Sequence, residues 1–178
     1  MGQDKRRLRF RGSTVLESAV AALRLGGVDP VVVVLESDSP CRTLPGLRQA
    51  IVAVNPAPQR GMLSSIRVGL EQLREATAVA VLPGDHPFVP LEAVAALVSH
   101  YHSHHPLLLA PRYPGNRRGH PLIIDRALFE EAAACDDAVG LRQLVHQREG
   151  QLALLDLDCP DAEQDLDLPQ HLKRLRRE

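Results

Sequence analysis

The run Val31-Val32-Val33-Val34-Leu35 constrains the fold more than any other feature of the chain. Consecutive apolar, mostly β-branched residues fit a strand buried on both faces, and such strands belong to parallel sheets covered by helices on either side. The rest of the chain keeps that alternation. Residues 14–25 put Val15, Leu16, Ala19, Val20, Ala22 and Leu23 on one helical face, with Thr14 and Glu17 as a capping box and Gly26-Gly27 as the stop. Further strands are expected at 51–54, 78–82, 107–110, 121–124 and 152–157. Helices are expected at 63–76, 91–102, 126–135 and 139–148, with another starting at Pro169. This order predicts an α/β domain over residues 1–178, with a mostly parallel sheet, right-handed crossovers and ligands at the carboxyl ends of the strands. Such sheets usually open on a strand that feeds a phosphate-binding loop. Here the first strong element is the helix at Thr14, and Leu8 and Phe10 make only a short alternation among arginines.

Charge and composition remove several classes of partner. Hydrophobic residues make up 44% of the chain, enough for a core and too many for a disordered tail. Lys and Arg number 21 against 22 Asp and Glu, and there is no Trp, so neither a polyanion surface nor a base-stacking platform is expected. A nucleic-acid partner is therefore not expected, while a single nucleotide stays compatible. The opening MGQDKRRLRF is polar and basic, and the longest apolar run is far too short to cross a bilayer, so no membrane partner is expected. Cys41, Cys135 and Cys159 are widely spaced with no C-x-x-C, which predicts free thiols and a cytoplasmic setting.

Several residues could carry chemistry. Asp85 lies in Pro83-Gly84-Asp85-His86-Pro87, directly after an expected buried strand. Its carboxylate there either holds Mg²⁺, which commonly takes one or two carboxylates plus substrate phosphates, or bonds its own backbone in a turn. Asp165 and Asp167 alternate onto one side of an extended segment before Pro169, as a second pair of metal ligands or as helix N-terminal charge. Lys5, Arg6 and Arg7 precede the first helix, suited to a phosphate or simply solvated. In Gly115-Asn116-Arg117-Arg118-Gly119-His120-Pro121, two arginines between glycines offer forked donors to a phosphate or form an ordinary hairpin turn. His100 and His104 have the i, i+4 spacing of zinc enzymes but lack the glutamate of that motif. Ser64-Ser65 lacks the glycine elbow of a nucleophilic serine.

Taken in order, the segments Met1-Gly2-x-x-Lys5, Asn55-Pro56, Gly61-Met62-Leu63-Ser64-Ser65-Ile66-Arg67-Val68-Gly69-Leu70, Leu82-Pro83-Gly84-Asp85-His86-Pro87, Arg118-Gly119-His120-Pro121 and Asp165-Leu166-Asp167-Leu168-Pro169 resemble the molybdenum cofactor nucleotidyltransferases, in particular their cytidylyltransferase branch. The resemblance implies a three-layer, Rossmann-like nucleotidyltransferase domain. It implies that Asp85 and Asp167, with Asp165, bind Mg²⁺, and that Gly2 and Lys5 meet the nucleotide's phosphates. Gly61, Met62, Ser64 and Ser65 would surround the base, and Arg118, Gly119 and His120 would face the acceptor. Lys5 and Asp85 would be the catalytic pair. The implied reaction moves a nucleoside monophosphate, CMP in preference to GMP, from the triphosphate to molybdopterin and releases pyrophosphate. A molybdoenzyme or its chaperone would be the protein partner. The alternatives are a non-catalytic nucleotide- or cofactor-binding accessory protein, and transfer to another phosphorylated acceptor.

The family signature reads roughly L-A-A-G-x-S-x-R-M-G-x-x-K, and Met1-Gly2-Gln3-Asp4-Lys5 matches only its end. Leu63 and Leu168 stand where the branch often has serine and threonine. The expectation is a sequence that starts inside the signature, with the central strand's place empty or filled by a rearranged or intermolecular segment. Asp85 and Asp167 are expected to approach each other at the sheet's carboxyl edge.

Overall fold

The computed structural model describes residues 4–159 and Ala162. A two-residue hairpin comes first, β1 (Arg9–Phe10) against β2 (Ser13–Thr14), which is what the Leu8/Phe10 alternation becomes. Helix α1 (Val15–Leu25) follows at once. Thr14 Oγ1 accepts from the Glu17 N–H at 3.3 Å, and Glu17 Oε2 accepts from the Thr14 N–H at 3.0 Å, completing the predicted capping box. The other Glu17 oxygen takes the Gly46 N–H at 2.7 Å and ties the start of α1 to a distant loop.

Then come β3 (Val32–Glu36), β4 (Ile51–Asn55), α2 (Met62–Gln72), β5 (Ala78–Val81), α3 (Leu91–His104) and β6 (Leu108–Tyr113). The chain continues through β7 (Arg117–Arg118), β8 (Leu122–Asp125), α4 (Phe129–Ala134), α5 (Leu141–Gln147) and β9 (Leu152–Asp156). Helix α2 ends four residues before the expected position, where the Leu73 N–H is shared by the carbonyls of Gly69 and Leu70. The expected helix over 126–135 divides: Asp125 caps a 3-10 turn at Arg126–Leu128 before α4 begins.

The main strands mostly run one way. β3 pairs with β4 in parallel and β6 with β9 in parallel, while β8 runs against both β5 and β6. The link from Tyr113 to Leu122 is too short for a crossover helix, so β8 must return antiparallel. α1 and α3 cover one face; α2, α4 and α5 cover the other. Leu97, Leu108, Leu109, Ile124 and Leu144 are fully buried in these layers.

Among the described residues the sheet is in two pieces. β3–β4 forms one, and β5-β8-β6-β7 with β9 forms the other. β3 and β5 do not pair; both line a cavity of about 520 Å³. Leu16, Ala19, Val20 and Leu23 of α1 close it on one side, and Met62, Ser65, Ile66 and Gly69 of α2 close it on the other.

Candidate functional site

One end of the cavity gathers the polar residues. Asp4, Lys5 and Arg6 line it from one side, Pro83, Gly84 and Asp85 from another, with Met62 and Ser65 between. Lys5 sits in a 3-10 turn, Lys5–Arg7, that Asp4 caps. Arg6 is held by Asp4, with Nη2 at 2.9 Å from Oδ2, and by Glu36 Oε2 at 3.1 Å. Asp4 in turn is held below the usual carboxylate range, chiefly by its hydrogen bonds from Arg6. Glu36 ends β3, and a Cβ on Gly84 would lie 4.0 Å from Arg6 Cδ. The carboxyl ends of β3 and β5 therefore meet at this lip, so the two strands point the same way.

Asp85 follows β5 as predicted. Its side chain is 38% exposed, and Oδ1 lies 3.9 Å from His86 Nε2. An accessible carboxylate at a strand's carboxyl end fits an oxygen-seeking cation whose other ligands arrive as substrate phosphates. Among the described residues no three His, Cys, Asp or Glu side chains come together as a metal cage. Asp165, Asp167 and Gly2 lie outside the described residues. The His100 and His104 rings stack at 4.3 Å, with His104 Nδ1 3.1 Å from the His100 carbonyl oxygen.

A second cleft of about 670 Å³ adjoins the first across Met62, Val81 and Pro83. Arg118, Gly119 and His120, the residues expected to face the acceptor, line it together. Arg118 Nη2 reaches Glu149 Oε1 at 3.0 Å. A Cβ on Gly119 would overlap the Tyr113 ring, whose hydroxyl donates to the His120 carbonyl at 2.9 Å. His120 is half-buried, and its ring packs edge-on against His86 with centroids 5.1 Å apart. Burial first, and the neighbouring His86 second, push the His120 imidazole down to about 4. It is therefore neutral near pH 7.

Gly61 takes φ +89 at the start of α2, a conformation suited to glycine. The serines after it divide in role. The Ser64 hydroxyl is buried, accepting from Asn55 Nδ2 at 2.7 Å and donating to the Gly61 carbonyl at 2.7 Å. Ser65 lines the cavity and accepts from the same amide at 3.0 Å. Asn55, at the end of β4, thus organises the loop; its position before Pro56 was the sequence signal. Asp137, Arg142 and His146 also line this second cleft, and nothing in the sequence singled them out. Arg67 secures that region by donating to the carbonyls of Ala133 and Cys135, each at 2.7 Å, and to Asp137.

The family model described as "MobA-like NTP transferase domain" matches residues 1–152. The chain belongs to the MobA-like NTP transferase domain family. Membership places it among the nucleotidyltransferase enzymes, and the fold agrees. A nicotine blue oxidoreductase of Paenarthrobacter nicotinovorans is 28% identical over 180 aligned residues, 94% of this chain and 85% of that protein. The crystal structure of Rv0371c from Mycobacterium tuberculosis H37Rv superposes with a TM-score of 0.84 at 25% identity, covering 100% of this chain and 91% of that one. Its complex with manganese gives 0.82, again at 25% identity, covering 98% and 91%. A Methanothermobacter nucleotidyl transferase shares the fold, with a TM-score of 0.74 at 19% identity over 97% and 83%.

Proposed function

We propose that this MobA-like chain transfers a nucleoside monophosphate, CMP in preference to GMP, from a nucleoside triphosphate to a phosphate of molybdopterin, releasing pyrophosphate. The observation that carries the reading is the lip where Asp85, Lys5 and Ser65 share one cavity end beside a cleft lined by Arg118, Gly119 and His120. The triphosphate would lie over the lip, with its base toward Gly61, Met62 and Ser65 and the acceptor in the cleft. Lys5 would neutralise phosphate charge, and Asp85 would hold a divalent cation, Mg²⁺ in this reading. Manganese in the complex of the mycobacterial relative supports a divalent ion at such a fold. When bound, the ion supplies Lewis-acid neutralisation of phosphate charge. The chain's own residues position donor and acceptor in line, which is most of what phosphoryl-type transfer requires. His120, neutral at the cleft wall, can orient a substrate group without adding charge.

The test is pyrophosphate release with CTP or GTP, Mg²⁺ and molybdopterin. Asp85→Asn should lower turnover about 100-fold or more while the fold is kept, the scale of losing one preorganised electrostatic contact. Unchanged turnover in Asp85→Asn would remove the metal role. A second reading rests on the relative named nicotine blue oxidoreductase. Turnover of nicotine blue in the absence of any triphosphate would identify that reading.

A further inference from the structure

The geometry points to His100 and His104, at the carboxyl end of α3, as a binding site for one borderline-soft divalent metal ion: Zn²⁺, Ni²⁺ or Cu²⁺. Nothing in nucleotidyl transfer uses these two residues, and the inference does not depend on that reading. α3 buries Ala93, Val94, Leu97 and Tyr101. His100 and His104 stand one turn apart beside that buried stripe, His100 half-buried and His104 exposed. Residues spaced i, i+4 on a helix share a face, with Cβ atoms about 5 to 6 Å apart. The rings are already together, with centroids 4.3 Å apart and planes 18° from parallel. Two imidazole nitrogens on one ion, each at about 2.1 Å from it, stand about 3 to 3.5 Å apart, so a small splay of the rings admits the ion.

Other features set which nitrogen is offered and what charge is welcome. His104 Nδ1 lies 3.1 Å from the His100 carbonyl oxygen. A carbonyl only accepts, so Nδ1 carries the proton, and Nε2 of the neutral ring keeps its lone pair. Ligating histidines commonly bond their other nitrogen in this way, which fixes tautomer and ring orientation. The pair also lies in the last turn of a 14-residue helix, closed by His105 at φ +47. Aligned peptide dipoles favour positive charge at that end. Imidazole suits Zn²⁺, Ni²⁺ and Cu²⁺, whereas Mg²⁺ takes oxygen ligands, so this site and the Asp85 carboxylate select different ions. Tyr101 stands where the H-E-x-x-H motif has its glutamate, and its hydroxyl is turned to Asp125 Oδ2 at 2.6 Å. The pair therefore has no general base beside it: it binds the ion, with water in the remaining positions, and does not hydrolyse a substrate. A bound ion joins two successive turns and so clamps the end of α3.

The test titrates the untagged 178-residue protein with Ni²⁺ in excess Mg²⁺, which occupies oxygen ligands. Calorimetry should find one ion per chain, and the thermal midpoint should rise as Ni²⁺ is added. Because Ni²⁺ is paramagnetic, the amide signals of residues 99–105, the last turn of α3 and its cap, should broaden first. His100→Gln and His104→Gln should each weaken binding at least tenfold while keeping the metal-free thermal midpoint. His102→Gln, on another face of the helix, should bind as the parent does. Equal affinity in His104→Gln overturns the proposal and leaves the rings as a stacked pair only. Broadening centred elsewhere in the chain overturns it too, as does the absence of binding at millimolar Ni²⁺. One ion per two chains also overturns it, because the ion then bridges copies.

Discussion

The two pieces of the sheet are made of similar residues and meet different fates. In the larger piece, Leu108, Leu109 and Ile124 are closed off by strands on both sides and helices on both faces. In the smaller piece, β3 has β4 on one edge and the cavity on the other, and Ile51 and Val54 of β4 remain 43% and 38% exposed. A β-branched run therefore specifies a buried strand, and in β3 the covering comes from helices α1 and α2. The ladder, rather than side-chain hydrophobicity, separates the two pieces.

Matched truncations give the largest expected contrast. Leu108→Ala, with the leucine fully buried in β6, should cost about 4 kcal/mol, in the upper range for a rigid core site. Leu73→Ala beside the cavity should cost only about 2 kcal/mol, because that side chain is only half-buried. Urea denaturation of both variants checks this, and equal losses would mean that the cavity closes in solution. Acid comes next. His120 in the larger piece stays neutral down to about 4, whereas an unperturbed imidazole takes its proton near 6.5. Between those values the unfolded chain holds more protons, so stability falls as pH drops from 6.5 to 4 and is level above 6.5. The loss should reach about 3 kcal/mol, and His120→Asn should flatten that slope in pH-dependent denaturation. The smallest effect lies on the other piece. Thr14→Ala removes the cap of α1, which packs on β3, and should cost about 1 kcal/mol by thermal denaturation.

Periodicity made most of the fold legible. The valine run, the capping box at Thr14 and Glu17 and the helix stop at Gly26-Gly27 fall where local chemistry places them. The reversal of β8 rests on the short Tyr113–Leu122 link, a cue of length rather than pattern. Asp85 was legible because a strand followed by Pro-Gly-Asp has few places to go. Arg142 and His146 were not, since each looks like an ordinary helix-surface residue until α5 is laid beside the Arg118 loop. The different roles of Ser64 and Ser65 were also hidden, because only the turn of α2 decides which hydroxyl meets Asn55 buried. Asp165 and Asp167 fall outside the described residues.

Gly26 carries a mechanical consequence. A methyl group added there would stand 2.5 Å from the Cβ of Val94, so α1 and α3 cross about as closely as side chains allow. α1 rides on β3, and α3 rides on β6 and β8 through Leu97, Tyr101, Leu109 and Ile123. That crossing works as a pivot: it holds the two pieces at a set distance on one face.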